Sequence, residues 1–260
     1  MKRFYTDLKK YYKYAVYAAK AELKSEVSNS YLGWLWWILN PLLFMLVYAF
    51  VASIVFKASE EYFLAFIFLG VTTWDFVNKT FKQSVKLVTS NAQIVTKVYI
   101  PKFVFVLSKM GTNMFKMMIS FVLVLGMMAL YRVKLSVTML YFFPLLIILL
   151  IVTFGISMLL MHFGVFVEDL SNVINVLLRL LFYMSGVFYS ITKRVPGTLK
   201  TILLNVNPVA LIMEDLRRCV LYGEQPHFIS LAIWLVIGIV LSIVGVRTVY
   251  KYENSYVKVI

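Results

Sequence analysis

Residues 31–44 read YLGWLWWILNPLLF. Three tryptophans among Leu and Ile ask for apolar surroundings, yet Asn40 and Pro41 stand in the middle. A proline removes a helical backbone hydrogen bond, and a carboxamide withdrawn from water needs a partner. The composition of the chain explains the apolar part. Its 260 residues are 62% hydrophobic, with mean hydropathy +0.84 and only 15% charged, against roughly a quarter charged in soluble domains. The expected fold class is all-α integral membrane, with six transmembrane helices near 34–56, 62–81, 103–130, 137–167, 173–191 and 228–250, each close to the length of about 20 apolar residues that a bilayer requires.

Charge then serves as evidence of topology. With both termini on the inner side, 15 Lys and Arg fall inside, eight outside and three within spans, together the 26 of the chain. The excess inside favours cytoplasmic termini, and the net charge of +14 reflects basic loops at an anionic leaflet rather than affinity for nucleic acid. The apolar stretch after the basic N-terminus is too long for a signal h-region, so that terminus reads as mature sequence. Cys219, His162 and His227 are too few for a disulfide framework or a His/Cys metal site within one chain. No repeat of about 20–50 residues recurs, which leaves an interface segment, 1–30, followed by one membrane domain, 31–260.

Segment 4–27, FYTDLKKYYKYAVYAAKAELKSEV, places Phe4, Leu8, Tyr11, Tyr12, Ala15, Ala19 and Leu23 on one helical face and Lys9, Lys13, Lys20 and Lys24 on another. A basic amphipathic helix with aromatic groups is expected to lie in the membrane interface. The basic inner loop 82–102 has room for a short helix that another protein could grip, with Pro101 at its exit. The stretch 192–227 is broken by Pro196, Gly197, Pro208 and Gly223 and cannot span. It predicts two short helices, about 196–206 and 208–222, with Asn207 as N-cap, Pro208 in the first turn and Gly223 as the stop, both dipping into the outer leaflet.

Within the spans, Lys109, Thr112, Asn113, Lys116 and Ser120 recur every three or four residues and form one polar stripe. Either the stripe lines a hydrophilic path, or Lys109 snorkels to the headgroups while Lys116 pairs with an acid on a neighbouring helix. Asp75 and Lys79, four apart with the acid first, predict a local ion pair. Arg179 needs a counter-charge or a phosphate. The aromatic residues near span ends suit either an interfacial belt or a lumen in which rings stack on sugars. No phosphate loop, zinc-protease motif, nucleophile elbow or cluster of acids occurs, so the sequence offers no enzyme active site.

With those segments placed, the stretches YLGWLWWILNPLLFMLVYAFV (31–51), LGVTTWDFVNKTF (69–81), SNAQIVTKVYIPKF (90–103), VFVEDLSNVINVLLRLLFYMSGVFYSITKRVP (165–196) and LNVNPVALIMEDLRR (204–218) follow one another in an order that resembles the membrane subunit of type-2 ABC exporters. The nearest branch is the permeases for O-antigen, capsule and wall teichoic acid. Glu168 and the run Met184–Val187 depart from that pattern locally. The resemblance implies a homodimer with two copies of a separate ATP-binding subunit. That subunit would carry ATP and Mg, this chain holding no cofactor. The cargo would be an undecaprenyl-pyrophosphate-linked glycan, handled in the bacterial cytoplasmic membrane among membrane lipids.

The same resemblance assigns roles. Residues 90–101 would be the coupling helix on the ATPase, through Asn91, Gln93, Ile94, Lys97 and Tyr99, and 196–222 the outer gate helices. The substrate path would take Trp34, Trp37, Asn40, Phe44, Tyr48, Lys109, Asn113, Lys116, Arg179 and Tyr183, with Asn40-Pro41 loosening the first span beside it. The pyrophosphate would be received by Lys20, Lys24 and Arg179. Two other readings remain at this point: a type-2 permease for drugs or other lipids, and an integral-membrane lipid-phosphate enzyme.

Overall fold

A computed structural model describes residues 2–28, 30–54 and 60–259, and among them all regular structure is helical. The elements are α1 (Lys2–Ser28), α2 (Trp36–Ile54), α3 (Phe63–Val85), α4 (Ala92–Lys97), α5 (Phe103–Leu130), α6 (Phe142–Phe166), α7 (Leu170–Met184), α8 (Ile191–Arg194), α9 (Gly197–Val206), α10 (Pro208–Val220) and α11 (Phe228–Val259). The first span was expected to run to 56, and its last two residues lie outside the described residues.

Helix α3 forms the centre of the molecule. Residues from Ala65 to Trp74 are buried without interruption, and α2, α5, α6, α7 and α10 pack around it. Among the described residues four stretches are long and apolar enough to cross a membrane: Gly33–Val51, Phe103–Leu130, Val137–Phe166 and Phe228–Tyr256. The second expected span, α3, is not among them, because Asp75, Lys79 and Lys82 lower its hydropathy. The fifth expected span, 173–191, is shorter than its sequence suggests. Helix α7 has 15 residues, about 22 Å against a hydrocarbon core of about 30 Å, and the chain turns after Met184.

Helices α6 and α11 share the most extensive contact between two elements. A Cβ on Gly155 would lie 2.8 Å from Leu241, one on Gly238 2.8 Å from Val152, and one on Gly245 2.7 Å from Met158. Small residues let two backbones approach in lipid, where close packing replaces the hydrophobic effect as the attraction between helices. Ser242 Oγ adds a bond to the carbonyl of Ile151 at 3.2 Å.

Helix α1 departs from the expectation. Phe4, Leu8, Tyr11, Ala15 and Ala19 face the protein, chiefly α5, while Tyr5, Lys9, Tyr12, Lys13, Tyr17, Lys20 and Lys24 point outward. The apolar face expected to sink into lipid is therefore covered by α5, and the exposed face alternates tyrosine with lysine.

The two expected short helices are present as α9 and α10. Asn207 caps α10, its Oδ1 accepting from Val209 and Ala210 backbone N–H at 3.1 and 3.2 Å, Pro208 occupies the first turn, and Gly223 follows with φ +70°. Eleven of the 13 residues of α10 are buried in the protein, where Glu214, Asp215 and Arg217 find polar partners.

Candidate functional site: a charged and aromatic cleft

Helices α2, α3, α5 and α7 border an open cleft of about 780 Å³. Helix α2 supplies Trp36, Trp37, Asn40, Pro41, Phe44 and Tyr48, and α3 supplies Thr72, Trp74, Asp75, Lys79 and Lys82. Asn113, Lys116 and Ser120 come from α5, Arg179, Phe182 and Tyr183 from α7, and Glu26 closes one end. Helix α2 runs unbroken through Pro41. The proline leaves the Trp37 carbonyl without its helical donor on a helix that borders the cleft rather than protein on all sides.

Of the residues read from the sequence as a substrate path, Trp37, Asn40, Phe44, Tyr48, Asn113, Lys116, Arg179 and Tyr183 come together on this cleft. Trp34 and Lys109 do not. Trp34 lies in the Gly33–Leu35 turn with its ring exposed, and Lys109 faces α1. Lys20 and Lys24 are also absent from the cleft wall, being exposed on the outer face of α1. Of the three residues expected to receive pyrophosphate, only Arg179 lines it.

The polar stripe of α5 is bonded on both flanks, while Asn113 Oδ1 is buried without a hydrogen-bond partner. Glu22 accepts from Lys109 Nζ at 2.5 Å and Thr112 Oγ1 at 3.3 Å, and Glu26 accepts from Lys116 Nζ at 2.7 Å. Asn113 Nδ2 donates to Thr80 Oγ1 at 3.1 Å and Gln83 Oε1 at 2.8 Å. Lys116 pairs with an acid, as one alternative expected, and also lines the cleft, whereas Lys109 is held by Glu22 rather than extended alone toward headgroups. Glu26 also accepts from Trp37 Nε1 at 3.3 Å, tying α1 to the first tryptophans of α2. Asp75 and Lys79 form the expected ion pair, at 2.7 Å with both side chains about half exposed.

Charged and aromatic side chains share the cleft wall. Four cations (Lys79, Lys82, Lys116, Arg179) and two acids (Glu26, Asp75) line it, an excess of two positive charges. Toward the α7 C-terminus Tyr48, Trp74, Phe182 and Phe188 form a ring cluster, with centroids 5.9 Å apart for Tyr48–Phe182, 5.5 Å for Trp74–Phe182 and 5.1 Å for Phe182–Phe188. Beside the cleft the apolar side chains Leu43, Leu46, Val47 and Phe50 of α2 and Val173, Val176, Leu177 and Leu180 of α7 are exposed.

Helix α10 holds a second polar group that sequence reading missed. Arg217, 1% exposed, donates from Nε to the Phe66 carbonyl at 3.2 Å, from Nη1 to Gly186 at 2.7 Å and from Nη2 to Val187 at 2.8 Å, and stacks 3.6 Å over the Phe66 ring. Glu214 accepts from Ser190 at 2.8 Å and from Thr192. Asp215 holds His227 through its ring at 2.6 Å and its backbone N–H at 3.1 Å. The signal in the sequence was the density of charge in MEDLRR on an otherwise apolar segment.

The segment expected to act as a coupling helix is a short turn, Thr89–Asn91, followed by α4. Gln93, Ile94, Lys97 and Tyr99 are exposed, Val95 and Ile100 anchor the segment, and Asn91 is half-buried with Nδ2 donating to the Leu87 carbonyl at 2.7 Å. Lys102 closes it, buried with Nζ on the Ile100 carbonyl at 3.2 Å, and that burial lowers its ammonium below the usual lysine range.

The fold and the cleft define a multi-helical membrane protein with a polar, aromatic cavity open at its surface. Residues 16–221 match the family described as ABC-2 type transporter, and the chain belongs to that membrane family as a transport component. An O-antigen export system permease protein RfbA of Klebsiella pneumoniae is 25% identical to it over 240 residues, 92% of each chain. A protein of the same name from Myxococcus xanthus is 26% identical over 215 residues, 83% of each.

Proposed function

We propose that this chain is the membrane-spanning subunit of an ATP-driven exporter of lipid-linked polysaccharide, working as a homodimer with two separate ATP-binding subunits in the bacterial cytoplasmic membrane. The observation that carries this reading is the cleft, in which aromatic rings and an excess of cations line one open path in a chain similar to O-antigen export permeases. Rings exposed on the cleft, such as Phe44 and Tyr183, suit the C–H faces of sugars. Arg179 and Lys82 suit a pyrophosphate, since a guanidinium binds phosphate oxygens bidentately and an ammonium adds a point charge.

A second copy would cover the exposed apolar faces of α2 and α7 and turn two clefts into one channel. The Tyr and Lys residues on the outer face of α1 suit anionic headgroups, where Lys20 and Lys24 would draw the lipid-linked substrate toward the cleft. Six crossings, both termini cytoplasmic, follow if α3 crosses inside the protein shell and α7 crosses at the exposed face that a second copy would cover. The exposed face of α4 would dock on the ATPase, and α9 and α10 would frame the outer mouth.

The test is to tag the C-terminus, purify the protein gently from its native membranes and identify what accompanies it by mass spectrometry. The expected result is a stoichiometric ABC ATPase with a polyprenyl-pyrophosphate glycan. A cargo without sugar would move the reading to a permease for drugs or other lipids. The absence of any ATPase in every mild detergent would end the exporter reading.

A further inference from the structure

Three segments far apart in sequence meet at the end of the molecule that holds both termini. Arg3 Nη2 lies 2.5 Å from Tyr99 Oη and 2.6 Å from Glu253 Oε1, and Tyr99 Oη lies 3.2 Å from Glu253 Oε2. Arg3 stacks 4.4 Å over the Tyr250 ring, whose hydroxyl donates to Asp7 at 2.7 Å, and Phe4 packs on Phe103 at 4.8 Å. Tyr99 follows α4 by two residues, on extended backbone that begins at Val98. Its side chain is 53% exposed, so its ring is not a core anchor, and its fixed point is the hydroxyl.

Half-exposed ion pairs add little to stability, typically about 0–1 kcal/mol. The consequence of this knot is therefore mainly geometric: it fixes where the segment 92–102 sits relative to α1. Helix α1 is one uninterrupted element of 27 residues, about 40 Å long. Its other end carries Glu22 and Glu26, bonded to Lys109, Lys116 and Trp37, and Glu26, Lys116 and Trp37 line the cleft. One rigid helix thus has the docking segment attached at its start and the cleft wall attached at its finish.

We propose that Arg3 and Glu253 are positioning residues which clamp Tyr99, and with it the segment that meets the ATPase, to α1, so that movement of that segment reaches the cleft along α1. The inference rests on the exporter reading above and adds a route to it. A rigid element with discrete attachments at both ends can carry coupling between sites, and a measurement of coupling is what establishes it.

The experiment uses the full complex with its ATPase in proteoliposomes, comparing the native chain with Arg3→Ala, Arg3→Lys, Glu253→Gln, Tyr99→Phe and the Arg3→Ala/Tyr99→Phe double variant. The quantity read is glycan exported per ATP hydrolysed. We expect it to fall about five-fold or more in Arg3→Ala and Tyr99→Phe, to recover in part in Arg3→Lys, and to fall no further in the double variant. A merely structural role would lower export and hydrolysis together and leave the ratio intact. That result, or an unchanged ratio throughout while the native complex exports, overturns the clamp and leaves the exporter standing. A native complex that neither binds an ATPase nor exports glycan removes the exporter reading, and the clamp with it.

Discussion

Arg217 and Lys116 each place a cation among helices, but under different conditions. Arg217 is 1% exposed and directs its three nitrogens at three carbonyls from two distant segments. Lys116 is 21% exposed and holds one carboxylate, that of Glu26, which is itself 38% exposed. The first arrangement is sealed from any ligand by its burial; the second leaves both partners within reach of the cleft. A buried cation held by backbone carbonyls marks architecture, whereas a partly exposed pair can exchange its partner.

The sharpest way to break this contrast is Arg217→Ala. It would strand the Phe66, Gly186 and Val187 carbonyls and remove the cation nearest Glu214, 3.9 Å away, at a cost of about 3–5 kcal/mol. Thermal unfolding of the detergent-purified protein checks this, and a loss under about 1 kcal/mol would place Arg217 with the exchangeable cations. Gly164→Ala comes next. Its Cβ would collide with the Val85 carbonyl, a backbone group that cannot yield, and we expect about 1–3 kcal/mol by the same assay.

Asn207→Ala tests the sealed region more gently, removing the cap of α10 and the 2.9 Å bond to Ser185. A loss of about 1 kcal/mol is expected, with hydrogen exchange quickening first at the start of α10. Lys116→Ala should change stability by less than about 1 kcal/mol while slowing glycan export in cells. Export at the native rate would show that the cleft pair is architecture as well.

Several features of this organisation could be read from residue order alone. The bounds of α9 and α10 follow from Pro196, Asn207, Pro208 and Gly223, because caps and breakers act within one turn. Eight of the ten path residues converge on the cleft because a helical stripe keeps its members on one face wherever the helix packs. Tertiary choice decided the rest. The apolar face of α1 could meet lipid or protein, and Glu22 and Glu26 selected α5 by matching Lys109 and Lys116. These are the only acids on α1 after Asp7, a signal that pairing with the stripe would have used. Arg217 could be placed only once Phe66, Gly186 and Val187 were known to converge, since carbonyl partners leave no mark in a sequence.

The glycine crossing of α6 and α11 has a mechanical consequence. Notches at Gly155, Gly238 and Gly245 seat each helix against the other's backbone, so one cannot slide along the other without lifting out of three sockets at once. The pair is a stator. On the exporter reading, displacement within the chain then falls to α2 and α7, whose apolar faces beside the cleft are exposed. Spectroscopic labels on α6 and α11 should report a fixed distance through a transport cycle, and labels on α2 and α7 should carry the stroke.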